Sequence, residues 1–490
     1  MLNKNKILTL LTWIFSLLGG TVFLFGFSYL CIHIFYGNLS LRQFLFHTTI
    51  ILTMNLSFGL ILIILLPLIA LAGLSLFVIK KPLRWLKYYV CAEKLKFWAE
   101  KPHLLSFLTS SLTIIIGLLF ICGSTVYSLP EVYKQLKYIT AVIFHQEKYD
   151  TYFEENYANP TDFNYSISQP HNLIIIFAES LEETFLNAEL FSENLLPKLS
   201  SQHGSSFLGY TDHDEMNWTK SALTAALCGI NSKIYLPPRL LAEDVPCIPE
   251  VLNQSGFQTY YLQGTSLNFA YTKDFLTHHG FQIIEDIEDT KNEALNDIYS
   301  LHFVDEVQSD SALLAHFQRK ITQLAKQNRP FLAITMTMNM HPYSGHLEKN
   351  CPQKYHDMRD VILCTDNALS QFTTWFLNQD FANNSTLVIL GDHLMIYSNI
   401  HHLIEKSSQR ETLNLIWGHA APKNNIDKPF YQVDWAPTFL QMTGVTWQNN
   451  RWGLGTSLLS TEPTLYQKHG KEGAKRLLYN SKLYEEKIVK

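Results

Sequence analysis

The first chemical signal lies where a short apolar run stops. Leu387, Val388, Ile389 and Leu390 lead into Gly391, Asp392 and His393, which reads as a buried strand, and α/β proteins place their chemistry at the carboxyl ends of such strands. A carboxylate beside an imidazole there suits a borderline cation such as zinc or manganese. A solvated turn is the plain alternative. A second strand-like run over 173–178 ends at Glu179-Ser180 and supplies another hard ligand, with helix-like residues expected from Leu181 to Phe185. Glu179 alone could equally be a first-turn glutamate that satisfies a helix dipole. Between the two strands, Thr219 opens a stretch with Ala and Leu at helical spacing that stops at Gly229. A hydroxyl in that first turn, coordinated by a cation, can lose its proton and attack phosphorus, or it can simply cap the helix.

The elements that position these groups belong to one part of a divided chain. Residues 7–36, 46–79 and 104–129 are apolar with almost no charge, whereas the chain beyond 172 alternates like a globular domain. About 20 apolar residues span a bilayer, so three transmembrane helices are expected, the second long enough to tilt. Lys80, Lys81, Arg84, Lys87, Lys94, Lys96 and Lys101 follow the second span, against Arg42 after the first. The positive-inside rule then makes the amino terminus cytoplasmic and delivers the rest outside. The expected plan is a membrane domain at 1–129, a tyrosine-rich juxtamembrane linker at 130–171, an extracytoplasmic domain at 172–460 and a basic tail at 461–490. A net charge of -5 gives no reason to expect nucleic acid.

Of seven cysteines, Cys31, Cys91 and Cys122 fall in the membrane part. An oxidising compartment permits two disulfides among the other four, and pairing of near neighbours joins Cys228 to Cys247 and Cys351 to Cys364. Four buried free thiols are the alternative. His278-His279 and His401-His402 stand away from strand ends, so they are expected in surface loops.

The order of Glu179-Ser180, Trp218-Thr219 with Cys228-Gly229-Ile230, and Gly391-Asp392-His393-Leu394 resembles the membrane-bound phosphoglycerol transferases of the alkaline phosphatase and sulfatase superfamily. The likeness is to the osmoregulated periplasmic glucan phosphoglycerol transferase and, more distantly, to lipoteichoic acid synthase. Further matches are Asn339-Met340-His341-Pro342-Tyr343, Cys364-Thr365-Asp366, Asp434-Trp435-Ala436-Pro437-Thr438 and Gly453-Leu454-Gly455. The resemblance implies an α/β domain whose central, mostly parallel sheet is flanked by helices. It implies that Glu179, Thr219, Asp392 and His393 hold a divalent cation, manganese first, with zinc or magnesium as alternatives. Thr219 would be ligand and nucleophile together, and His341 would contact the phosphoglycerol head. The implied reaction takes phosphoglycerol from phosphatidylglycerol, through a phosphothreonine-type intermediate, to a hydroxyl of an extracytoplasmic glycan or polymer. Its implied setting is the bacterial cytoplasmic membrane, with the catalytic domain facing the periplasm or the outside.

Three departures limit the carry-over. The Trp-Gly or Tyr-Gly step before an Asp is absent from the stretch Ser300-Leu301-His302-Phe303-Val304-Asp305, no arginine is assigned to the substrate phosphate, and no motif marks the acceptor surface. Phosphoethanolamine transfer is the rival on the same fold, but its Pro-Cys step after the nucleophile is missing. Thr219-Lys220-Ser221-Ala222-Leu223 also lacks the Cys or Ser with Pro and Arg that a sulfatase needs. A catalytically silent membrane-tethered module predicts loss of a ligand, and none is lost.

Overall fold

The computed structural model describes residues 150–490 apart from 211–217, 232–240, 269–270, 292–296, 302–303, 342–343, 397, 478–480 and 490. The three expected spans, their basic loop, Cys31, Cys91 and Cys122 lie outside the described residues. Among the described residues no helix is long and apolar enough to cross a membrane.

Six strands form the central sheet: β1 (Asn172–Ala178), β2 (Gln258–Gln263), β3 (Ile283–Glu285), β4 (Phe331–Met336), β5 (Ser385–Gly391) and β6 (Asn414–Gly418). Their order is β6-β5-β1-β4-β2-β3. All neighbours run parallel except β6, which closes one edge antiparallel to β5. The principal helices around them are α1 (Thr219–Cys228), α2 (Ile248–Gln254), α3 (Thr272–His278), α4 (Asp310–Ala325), α5 (Met358–Leu377) and α6 (Trp435–Met442).

The run Leu-Ile-Ile-Ile-Phe of β1 is apolar at consecutive positions because both faces of an interior parallel strand are covered. Leu173, Ile175 and Phe177 join the core made with α1, α2, α3 and α6. Ile174, Ile176 and Ala178 point the other way, into the core made with α4 and α5. The result is a sheet between two helical layers, with the strand ends open to carry function.

Both expected disulfides are present, Cys228–Cys247 and Cys351–Cys364. The first ties the end of α1 to the residue capping α2, and the second ties the loop after β4 to α5.

Three expectations are corrected. From Asp150 onward the presumed linker is part of the domain: Tyr152 and Phe153 are buried against Tyr484 and Ile488, and Ser166 and Ile167 pair with Thr446 and Val445. The basic tail packs into the same cluster, because its apolar residues Leu477, Tyr484 and Ile488 alternate with the charged ones and find Tyr152 and Phe153 to cover them. Arg476 is paired with Asp150 at 3.0 Å. His278 and His401 belong to short helices instead of loops.

His279 is the most displaced from expectation, being 1% exposed against Phe275. Burial, and then the neighbouring His278, bring its imidazole down to about 4. The unfolded chain therefore takes up this proton first as pH falls, so His279 contributes stability that is present above 6.5 and lost towards 4. His279→Gln should flatten this acid limb. Urea midpoints across that range are expected to show wild type losing about 2 kcal/mol more than the variant.

Candidate metal centre and nucleophile

Strand register brings the first two candidate ligands together. Ala178 of β1 lies opposite Gly391 of β5, so Glu179 and Asp392 leave the sheet side by side. Asp392 donates its N–H to the Ala178 carbonyl at 3.2 Å, and its Oδ1 accepts from Ser180 N–H at 2.8 Å. Ser180 turns the chain at a φ of 52° and donates its hydroxyl to Glu179 Oε1 at 2.6 Å. Gly391 is required by close approach, since a Cβ there would stand 2.0 Å from the Leu181 carbonyl oxygen.

His393 completes the set. Its Nδ1 lies 3.0 Å from the Leu394 carbonyl oxygen, which accepts a proton from that nitrogen and leaves Nε2 with its lone pair. Nε2 is 3.4 Å from Asp392 Oδ2, 3.6 Å from Glu179 Oε1 and 3.5 Å from Thr219 Oγ1. The ligand atoms of Glu179, Asp392 and His393 lie within 4.8 Å of one another, and all three residues are buried. Glu179 Oε2 and Asp392 Oδ2 are buried without a hydrogen-bond partner. Burial, then the charge of Glu179, raises the Asp392 carboxyl above its ordinary value. Acceptor atoms and like charges crowded out of water fit a cation of about 2.0–2.2 Å bond length.

Thr219 is the first residue of α1, and Trp218, in extended conformation, holds the capping position without a side-chain cap bond. The hydroxyl therefore faces His393 instead of closing its own helix. Gly229 ends α1 in the left-handed region at φ 67°, where a Cβ would meet the Trp452 carbonyl oxygen at 2.5 Å. Lys220 follows Thr219, and burial brings its ammonium down to about 8. His341 lies on the loop beyond β4, its N–H bonded to the Met338 carbonyl at 3.0 Å. β4 is the other neighbour of β1, so the loop that carries His341 follows a strand adjacent to the one that bears Glu179.

Instead of the helix expected after Ser180, Glu182 is extended and a single 3-10 turn covers Glu183–Leu186. Glu182 is fully buried and bonded through both carboxylate oxygens to Arg410, with 2.9 Å from Nε to Oε2. It also accepts Met395 N–H at 2.7 Å, while Arg410 donates to the Met395 carbonyl at 2.8 Å. The pair clamps the loop after Glu179 to the loop after His393. Sequence reasoning missed it, since nothing links residues 228 positions apart. Arg410→Ala strands a buried carboxylate, so it should destabilise the domain by about 3 kcal/mol in urea titrations and weaken cation binding. Arg410→Lys keeps the charge but loses the planar fork, and is expected to recover part of that loss.

The fold and the buried Glu-Asp-His cluster at its strand ends define an α/β domain of the alkaline phosphatase type. A solved structure of an alkaline phosphatase superfamily protein from Vibrio parahaemolyticus superposes with a TM-score of 0.50 at 18% identity, covering 65% of this chain and 78% of that one. The chain belongs to the sulfatase family, whose model matches residues 171–445. Its curated relatives include phosphoglycerol transferase I of Xanthomonas axonopodis pv. citri, 24% identical over 55% of this chain and 40% of the relative. Phosphoglycerol transferase I of Escherichia coli O127:H6 is 24% identical over 59% and 39%. The match thus spans about two fifths of the length of these relatives.

Proposed function

We propose that the protein transfers a phosphoglycerol group from phosphatidylglycerol to an acceptor hydroxyl on an extracytoplasmic glycan or polymer. The observation that carries this reading is the Thr219 hydroxyl at the start of α1, 3.5 Å from His393 Nε2 in the Glu179-Asp392-His393 cluster. The similarity to phosphoglycerol transferase I supports the choice of group. The family name does not commit the chain to sulfate esters, because the sulfatase nucleophile motif is missing around Thr219.

Glu179, Thr219, Asp392 and His393 would hold a divalent cation, manganese first, which would lower the pKa of the Thr219 hydroxyl and offset the negative charge of the phosphate. Thr219 Oγ1 loses its proton and attacks phosphorus. The bond from phosphorus to the diacylglycerol oxygen breaks, that oxygen takes a proton, and phosphoglycerol stays esterified to Thr219. An acceptor hydroxyl then attacks the same phosphorus and gives up its proton, and the threonine oxygen leaves and is reprotonated. Backbone amides at the start of α1 face the charge that develops. Lys220 sits where both the helix dipole and burial disfavour a cation, and an anionic phosphate offsets both effects. His341 orients the glycerol head. Anchoring by the three expected spans suits a donor and a leaving group that are both lipids.

Full-length protein in detergent, given fluorescent phosphatidylglycerol and manganese, is expected to release diacylglycerol. Absence of release would sink the phosphoglycerol reading, and absence of metal binding as well would sink the enzyme reading. In a competition assay phosphatidylglycerol should outcompete phosphatidylethanolamine as donor; the opposite preference moves the assignment to phosphoethanolamine transfer.

A further inference from the structure

The loop that carries His341 is gripped by buried polar side chains that take no part in the reaction described above. Asp310 opens α4 and is fully buried. Its Oδ1 accepts the backbone N–H of Met338 at 2.8 Å and of Asn339 at 3.1 Å. Asn339, also fully buried, answers in the opposite sense: its Oδ1 accepts the Asp310 N–H at 3.2 Å. Its Nδ2 donates to Glu348 Oε1 at 2.8 Å, and the same oxygen accepts the Ser311 N–H at 3.0 Å. The Asn339 carbonyl accepts the His346 N–H at 2.7 Å.

Two functions share these bonds. The first amides of a helix need acceptors, and Ser309, at the capping position of α4, supplies no side-chain cap. Asn339 and Glu348 supply them instead, from the His341 loop. The helix start and the loop therefore cannot move apart without exposing unpaired buried groups on both. On its far side the loop is stapled to α5 by Cys351–Cys364, and Thr365 of α5 donates to Asp310 Oδ2 at 3.4 Å. A buried carboxylate carries a desolvation penalty that an apolar residue would not. What it provides in return is one fixed height and rotation for the turn from Met338 to His341.

We propose that Asp310, with Asn339 and Glu348, forms a latch that positions His341 over the ends of β1 and β4 and so sets its contact with the head group of the substrate. This rests on the role given to His341 above. Asp310 acts through His341 and is a positioning residue.

The test is a double-mutant cycle with a structural readout. Diacylglycerol release by full-length protein is measured for Asp310→Ala, Asp310→Asn and Glu348→Ala, each with and without His341→Ala. Amide exchange over 337–346 is followed by mass spectrometry. Asp310→Ala is expected to slow turnover about tenfold or more, as small misplacements in catalytic sites do, and to speed exchange in that segment. Asp310→Asn, which keeps an oxygen for both N–H groups, should restore both to within about threefold of wild type. With His341→Ala already present, Asp310→Ala should cost no further turnover, the non-additivity expected of coupled residues. An equal loss in both backgrounds overturns the proposal. If Asp310→Ala does not fold, Glu348→Ala, which opens only one end of the latch, is judged by the same criteria. If wild type releases no diacylglycerol, the phosphoglycerol reading fails on its own. The latch then stands on exchange, and unchanged exchange over 337–346 in the variants overturns it.

Discussion

Thr219→Ala should lower diacylglycerol release by about 10⁴-fold or more, close to 5 kcal/mol of transition-state stabilisation, as removal of a covalent nucleophile does elsewhere. The hydroxyl stands 3.5 Å from His393 Nε2 at the first residue of α1, and neither Lys220 nor Ser221 starts the helix. Glu179, Asp392 and His393 remain in this variant, so manganese should still raise its melting temperature. That separates lost chemistry from lost fold. Thr219→Ser keeps the attacking oxygen and is expected within about a hundredfold of wild type. Peptide mapping of a trapped intermediate gives the complementary result, a phosphoglycerol adduct on the peptide containing Thr219. An adduct elsewhere, or full activity of Thr219→Ala, removes the nucleophile assignment.

Asp392→Asn should move stability in opposite directions with and without metal. Without metal, Glu179 and Asp392 are two carboxylates, 0% and 1% exposed, close around one imidazole. The Asp392 carboxyl is raised above its ordinary 3.8, so its contribution to stability is present below 3.8 and is lost as pH rises through the raised value. At pH 8 in a chelator, asparagine relieves the repulsion while its Oδ1 still serves Ser180 and His393. The variant should therefore be more stable than wild type by about 1–3 kcal/mol. Saturating manganese reverses the order, because at 100 times its dissociation constant a ligand adds about 2.7 kcal/mol to wild type. The variant gains little and releases no diacylglycerol. Urea midpoints at pH 8 with chelator or manganese check both signs, and a variant destabilised in the chelator would show that the carboxylate serves the fold instead of a cation.

Much of the candidate centre was legible because its parts carry local signatures. Consecutive aliphatic residues ending at Gly391 read as a buried strand, and Ala-Leu spacing ending at Gly229 predicts a helix with Thr219 in its first turn. Cysteine pairs near in sequence joined as expected, since both spacings close short loops. Three errors had one cause. Glu182 follows a strand in a helix-like run, yet its carboxylate is taken by Arg410 far along the chain. The expected helix gives way to an extended residue and one 3-10 turn. His279 looked solvent-facing until Phe275 and Glu250 closed over it, and the tail looked basic until its interspersed apolar residues met Tyr152 and Phe153. Asp310 opens an amphipathic helix with no unusual spacing to mark it.

By itself the sequence determined which residue types could make a cation site and which ends of which elements bear them, because periodicity and chain-breaking residues are properties of neighbours. Tertiary structure decided that β1 and β5 are adjacent, that Ala178 meets Gly391, and that Arg410 and Asp310 brace the loops beside them. Those facts are set by side chains packing across the sheet and by buried polar groups finding partners 28 to 228 positions away. No local pattern encodes such pairings, since many strand orders would bury the same aliphatic faces equally well.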